Sequence, residues 1–278
     1  MTVATLQSLL STGGVQSAIQ RASLKTGVDF SYLLGQAQVE SSLRPDAKAQ
    51  TSSASGLYQF VEQSWLGTVK QHGAEHGLAW AADAISQGSG GRYYVSDTAT
   101  RAYILKLRNN PDIASMMAAE HAADNKAELE TSLGREVGGA DLYMAHFLGV
   151  GGAKKFLSTL ASNPGASAAQ LFPAAAASNR HVFFGESGQA RSVAEIYDRF
   201  TAKLQHGAEV AAGGNALPPI AAPGKADPLQ LAMAEQDVDR PEVATLDQLL
   251  ASADRSSLLR PTPKTAQLAY MLLASMGA

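Results

Sequence analysis

Apolar residues recur at helical spacing over most of the first two hundred positions. Val15, Ile19 and Ala22 fall on one face and predict a helix over 14–27, after a shorter one over 4–11. Gly27 closes it as the glycine just past a helix end does. The chain re-enters through Val28, Asp29 and Phe30, with Asp29 or Ser31 as N-cap. The next helix runs from about Tyr32 to Ser41 and stops before Pro45 and Asp46. Leu33, Ala37 and Glu40 follow one another at i, i+4, i+7, so Glu40 prolongs an apolar stripe and not a solvated face. Phe60, Trp65 and Val69 mark the core side of a helix over 57–72. Further helices are expected at about 98–109, 111–132 (with Pro111 in its first turn) and 139–149. Gly149–Ala153 breaks the last of these. Short helices follow at 154–160 and 170–179, and an amphipathic one over 192–204 uses Val193, Ile196, Tyr197 and Phe200.

Between these elements the pattern lapses. Residues 46–55 and 163–169 are small, polar loops. Residues 86–97 are a glycine-rich excursion that reads as a short hairpin or a lid. Gly88–Gly91 lacks the Gly-Lys-Ser/Thr that a phosphate loop needs, so a mobile rim is the better reading. After about 206 the apolar periodicity gives way to a Pro/Ala/Gly-rich stretch that has no means of burying a core. Two short periodic segments, near 243–252 and 264–276, are too few to form a domain. They are expected as a frayed tail or as helices that dock on a partner. The expected organisation is one domain over 1–205, a flexible linker over 206–242 and a short helical tail over 243–278.

Composition sharpens the fold class. The chain has 278 residues with 45% hydrophobic but only 6% aromatic content. Alanine is abundant, which favours a mainly α protein over a sandwich of β-strands. The formal net charge is −3 and no Lys/Arg block stands out, so nucleic acid is not an expected partner. Cysteine is absent, which removes disulfides, thiolate nucleophiles and Cys-based zinc sites. No run approaches the ~18 apolar residues of a spanning helix, and no integral membrane segment is expected. The first residues lack the basic start and apolar core of a Sec signal.

The chemistry centres on Glu40. It sits in Gln38-Val39-Glu40-Ser41-Ser42, and Ser55-Gly56-Leu57-Tyr58-Gln59-Phe60 follows within twenty residues. A carboxylate at the end of an apolar helix face, beside a glycine- and glutamine-bearing loop, suits a general acid that meets a polar polymer. Burial is expected to raise its pKa. Residues 28–60 resemble the catalytic domain of soluble lytic transglycosylases. The likeness rests on the Glu40-Ser41 pair and on Gly56-Leu57-Tyr58-Gln59, which stands for that family's Gly-Leu-Met-Gln block. A third block, Ala-Tyr-Asn, has its best counterpart in Ala145-His146-Phe147, where His replaces Tyr and Phe replaces Asn. The resemblance covers about residues 15–160.

The resemblance implies a lysozyme-like fold and cleavage of the β-1,4 bond between N-acetylmuramic acid and N-acetylglucosamine in peptidoglycan, giving 1,6-anhydromuramoyl ends. It implies Glu40 as both acid and base. It also implies Ser41, Gly56, Tyr58, Gln59 and His146 as substrate-binding residues, Tyr58 as a stacking platform and Gly56 as a point where backbone meets sugar. For Ser41, Gly56, Tyr58, Gln59 and His146 a purely structural role stays open. Phe147 cannot supply the hydrogen bonds of Asn. Glu120 or Asp112 as a second catalytic carboxylate is weighed against a solvated helix face, the plainer reading. No metal and no cofactor are expected. The expected partners are glycan strands and an envelope-assembly protein at the tail, in the periplasm or cell wall without a Sec signal, or in a phage or prophage particle. The alternatives are a goose-type muramidase that hydrolyses the same bond and a non-catalytic peptidoglycan-binding scaffold.

Overall fold

The computed structural model describes residues 3–50, 52–214, 217 and 220. The chain is mainly α-helical: α1 (Val3–Thr26), α2 (Phe30–Ser41), α3 (Glu62–His72), α4 (Ala79–Ala84), α5 (Thr98–Lys106), α6 (Pro111–Leu133), α7 (Gly139–Ser162), α8 (Ala168–Leu171), α9 (Pro173–Ser178), α10 (Arg180–Phe183) and α11 (Val193–Ala211). A 3-10 turn, Gly73–His76, continues α3, and another, Leu107–Asn109, continues α5. The glycine-rich excursion is a hairpin. Its strands β1 (Ser86–Gln87) and β2 (Tyr93–Tyr94) pair antiparallel, and Gln63 fixes β2 by bonding both the N–H and the carbonyl of Tyr93.

Helix starts follow local chemistry. The Asp29 carboxylate accepts from Tyr32 N at 2.6 Å and caps α2. Asn110 caps α6 ahead of Pro111. Ser192 and Glu195 form a reciprocal capping box on α11. Two expectations on element bounds are corrected. The two helices expected over 4–11 and 14–27 are one, Val3–Thr26, with Gly27 just past its end. Residues 57–60, expected to open α3, form a turn, because Gln59 adopts a left-handed backbone (φ 48°) that no helix contains.

α2 runs through the middle of the fold. Leu33 and Ala37 are fully buried on it, and Gly35 lies against α11 so closely that an added Cβ would stand 2.5 Å from the Leu204 carbonyl oxygen. Trp65 and Phe60 seat α3, and the Trp65 indole donates to Ile104 O at 2.8 Å. α7 bends where Gly149 leaves helical geometry (φ 72°, ψ 159°). Its first turn holds Asp141, a buried carboxylate that accepts from Arg135, Tyr197 and the Gly138 N–H.

The expected boundary at 205 is also corrected. α11 continues to Ala211, and Leu217 and Ile220 are buried in the core. Ile220 O accepts from Gly139 N at 3.0 Å, and Gln205 bonds both Leu217 O and Ile220 N. The tail segments at 243–252 and 264–276 lie outside the described residues. Among those residues, no helix is long and apolar enough to cross a membrane.

Candidate active site

Glu40 occupies the last turn of α2, with its side chain 20% exposed. Two side chains of α7 converge on it. The Tyr143 hydroxyl donates to Glu40 Oε1 at 3.1 Å, and His146 Nε2 lies 3.3 Å from the same oxygen. Positions 143 and 146 are one turn apart on α7, so both present to the same point. Phe200 of α11 packs edge-on against Tyr143 and Phe147, and Phe147 also stacks on Phe183. Phe147 is therefore an aromatic support behind the two polar residues.

Glu40 does not have the raised pKa expected of it. Burial pushes its carboxyl up. The hydrogen bond and charge of His146, the Tyr143 hydroxyl and the more distant charge of Lys203 together outweigh that, and hold it below the ordinary Glu value. The Tyr143 phenol moves the other way. Burial raises it, and the adjoining Glu40 charge raises it further, so it stays a hydrogen-bond donor at every physiological pH.

The loop before α3 is tied down by Arg108. This buried side chain donates to Ser53 O at 2.6 Å, Phe60 O at 2.8 Å and Leu105 O at 2.9 Å. Gly56 sits against the Arg108 backbone at φ 82°, where a Cβ would run into the Arg108 carbonyl. Its lack of a side chain therefore admits the Arg108 backbone. Gln59 donates through Nε2 to Ala47 O at 3.1 Å and Gly56 O at 2.9 Å, which aims its amide. Ser42, Leu43 and Gln59 are the non-glycine residues with a left-handed backbone among those described. Two follow the Glu40 helix directly, and the third is in this loop.

A cavity of about 200 Å³ lies between α2, this loop, α3, α6 and α7. Gln36, Gln59, Ser64, His121, Asn125 and His146 give it a hydrogen-bonding lining, and Tyr32 and Tyr58 give it aromatic walls. No carboxylate lines it; Glu40 is reached through His146, which belongs to both. Tyr58 is only 1% exposed, so it forms a wall and not the expected stacking platform. Ser41 is buried, donates to Ala37 O at 3.0 Å, and does not line the cavity. His121 stays neutral more readily than an ordinary histidine, because burial and the nearby His146 charge lower its pKa. A second, wider recess of about 520 Å³ on α10 and α11 carries His181, Arg199, Lys203 and His206 around Phe200 and Ile196.

The structure thus brings Glu40, His146, Gln59 and Tyr58 to one place, and leaves Ser41 and Gly56 in supporting positions. Glu120 is neither solvated nor at this cavity; it bonds His76 at 2.7 Å. Asp112 pairs with Arg21 on the surface. Sequence reading missed Tyr143, although its spacing of three from His146 puts both on one helical face. It also missed Gln36, four residues before Glu40, and His121 and Asn125, one turn apart on α6. Its expectation of no metal took the histidines to lack His-x-x-x-His spacing, yet His72 and His76 have it. Compared with models of known protein families, the chain matches none.

Proposed function

We propose that this protein is a peptidoglycan lytic transglycosylase of lysozyme-like fold, with Glu40 as its single acid/base. The observation that carries this reading is one largely buried carboxylate held by Tyr143 and His146 beside a polar cavity that no carboxylate lines. A glycosidase that activates water, or forms a covalent intermediate on a second residue, uses a pair of carboxyl groups about 5–10 Å apart. A single carboxylate supports a reading in which the attacking group comes from the substrate. The muramic acid 6-hydroxyl supplies it.

In this mechanism protonated Glu40 gives its proton to the glycosidic oxygen as the C1–O bond breaks. The substrate acetamido oxygen stabilises the positive anomeric carbon. Glu40, now ionised, takes the proton of the 6-hydroxyl as that oxygen bonds to C1. The product is a 1,6-anhydro ring, with no net water consumed and Glu40 again protonated. Tyr143 and His146 stabilise the ionised form through hydrogen bonds, which makes protonated Glu40 a stronger acid in the first step and its carboxylate a weaker base in the second. They also leave less of Glu40 protonated before the first step, and a sugar that displaces water from the carboxylate offsets that by raising its pKa. Gln36, Gln59 and Asn125 offer amides to sugar hydroxyl and acetamido groups. The cationic recess on α11 suits the carboxylates of the peptide stems.

Mass spectrometry of muropeptides released from purified sacculi tests the reading. Wild type is expected to release anhydro-muropeptides, one water lighter than hydrolytic products, and Glu40→Gln none. Reducing-end products would instead make the protein a muramidase. Sacculus binding without release would make it a scaffold.

A further inference from the structure

His72 and His76 stand four apart across the junction of α3 and its 3-10 turn, and Glu120 and Asp124 stand four apart on α6. Each pair shares a helical face, and the two faces meet. His72 Nε2 lies 2.8 Å from Asp124 Oδ2. A carboxylate there accepts an Nε2–H, the arrangement in which Nδ1 is the nitrogen left to meet a ligand. That Nδ1 faces Glu120 Oε2 at 3.7 Å, beyond hydrogen-bond length. The other oxygen of Glu120 is already engaged by His76 Nε2 at 2.7 Å. The His76 ring is fixed from behind, because Lys25 Nζ, which can only donate, lies 3.0 Å from its Nδ1. Nε2 therefore carries the proton given to Glu120. Glu75 completes the group: one ligand-capable atom from each of His72, Glu75 and Glu120 falls within 4.8 Å of the others.

Two potential ligand atoms thus face each other beyond hydrogen-bond length, and a cation fits between them. We propose that it is a divalent transition-metal ion of the zinc class, bound by His72, Glu120 and Glu75. The outer partners point to metal over a lone proton. A ligating imidazole almost always gives its other N–H to a carboxylate or carbonyl, and ligating carboxylates are hydrogen-bonded in turn. His72 with Asp124 and Glu120 with His76 have those arrangements. Imidazole nitrogen with carboxylate oxygen suits zinc and its neighbours, whereas calcium takes oxygen alone. Closing to zinc–ligand bonds of about 2.0–2.2 Å asks most of Glu75, which is exposed and free to move. None of the three ligands lines the cavity beside Glu40. The ion is structural: it clamps α3 and its turn to α6, two elements that wall that cavity.

Isothermal titration of tag-free, EDTA-treated and gel-filtered protein with zinc chloride tests this, with a thermal melt beside it. Wild type is expected to take up one zinc per chain at micromolar or lower concentration and to melt higher with it. His72→Ala and Glu120→Gln are expected to lose that uptake. Asp124→Asn is expected to weaken it about 10–100-fold, as loss of an outer partner does. Glu75→Ala removes an exposed ligand, so it is expected to weaken uptake at least tenfold while the metal-free melt stays unchanged. No saturable uptake by wild type, or uptake undiminished in both His72→Ala and Glu75→Ala, overturns the proposal and leaves a proton in the gap. The readout is independent of any activity on sacculi.

Discussion

At the scale of single residues, the pairing of Glu40 with His146 sets the expected pH behaviour. A carboxyl held below its ordinary value is ionised in the free protein at neutral pH. A step that needs it protonated should therefore run best in mild acid and fade as pH rises. His146→Phe removes the largest of the groups that hold the value down, while burial, which holds it up, remains. The alkaline limb of the rate profile is expected to move to higher pH in this variant, with a lower maximum; a maximum lowered without that displacement would reduce His146 to packing. Tyr143→Phe removes one hydrogen bond to a charged group, about 1.5–3 kcal/mol, and is expected to cost at least tenfold in muropeptide release. Glu40 also links pH to stability. Its folded pKa is depressed, so its contribution is present above the unfolded value and is lost as pH falls through the folded one. Glu40→Gln is therefore expected to flatten the acid limb of a urea-melt series. Glu40 itself was legible in the sequence because its stripe with Leu33 and Ala37 is local. Its lowered pKa was not, because that comes from side chains more than a hundred positions away.

At the scale of elements, the site depends on one loop and one close crossing. The loop over 47–60 hangs on Arg108, which ties the loop carbonyls of Ser53 and Phe60 to the carbonyl of Leu105. Arg108→Ala is expected to destabilise the fold by about 3 kcal/mol or more and to release Gln59 from the cavity wall. A thermal melt and sacculus binding would check both halves. The crossing is that of α2 with α11. Gly35→Ala forces a Cβ against the Leu204 carbonyl in a helix where alanine is otherwise the better helix former. A loss of stability there is the expected sign, and a gain would mean that the helices separate freely. The helices themselves were mostly legible, since 3.6-residue periodicity and capping residues such as Asp29 and Asn110 are local signals. The turn at 57–60 was not, because the loop bonds and the buried Arg108, not propensity, fix Gln59 in its left-handed backbone.

At the scale of the whole molecule, composition misplaces the domain edge. The stretch after 206 reads as linker because it is rich in Pro, Ala and Gly, yet Leu217 and Ile220 fill places in the core. Their burial depends on Gln205 and Gly139 from distant turns, which periodicity does not see. A chain ending at Gly214 is expected to be about 3–6 kcal/mol less stable than one ending at Ala222, from two buried aliphatic side chains. Equal midpoints in urea would return the edge to where composition puts it.

The left-handed backbones at Ser42, Leu43 and Gln59 bear on how this protein would respond to directed evolution. Each non-glycine residue in that region stores about 1 kcal/mol or more of strain, and glycine would release it. A library screened for heat resistance alone should therefore accumulate glycine at these three codons, around the end of the Glu40 helix and the Gln59 loop. The winners of such a screen are expected to be hardier and, if Glu40 is the acid/base proposed above, slower in muropeptide release, because the same substitutions loosen the chain around that carboxylate.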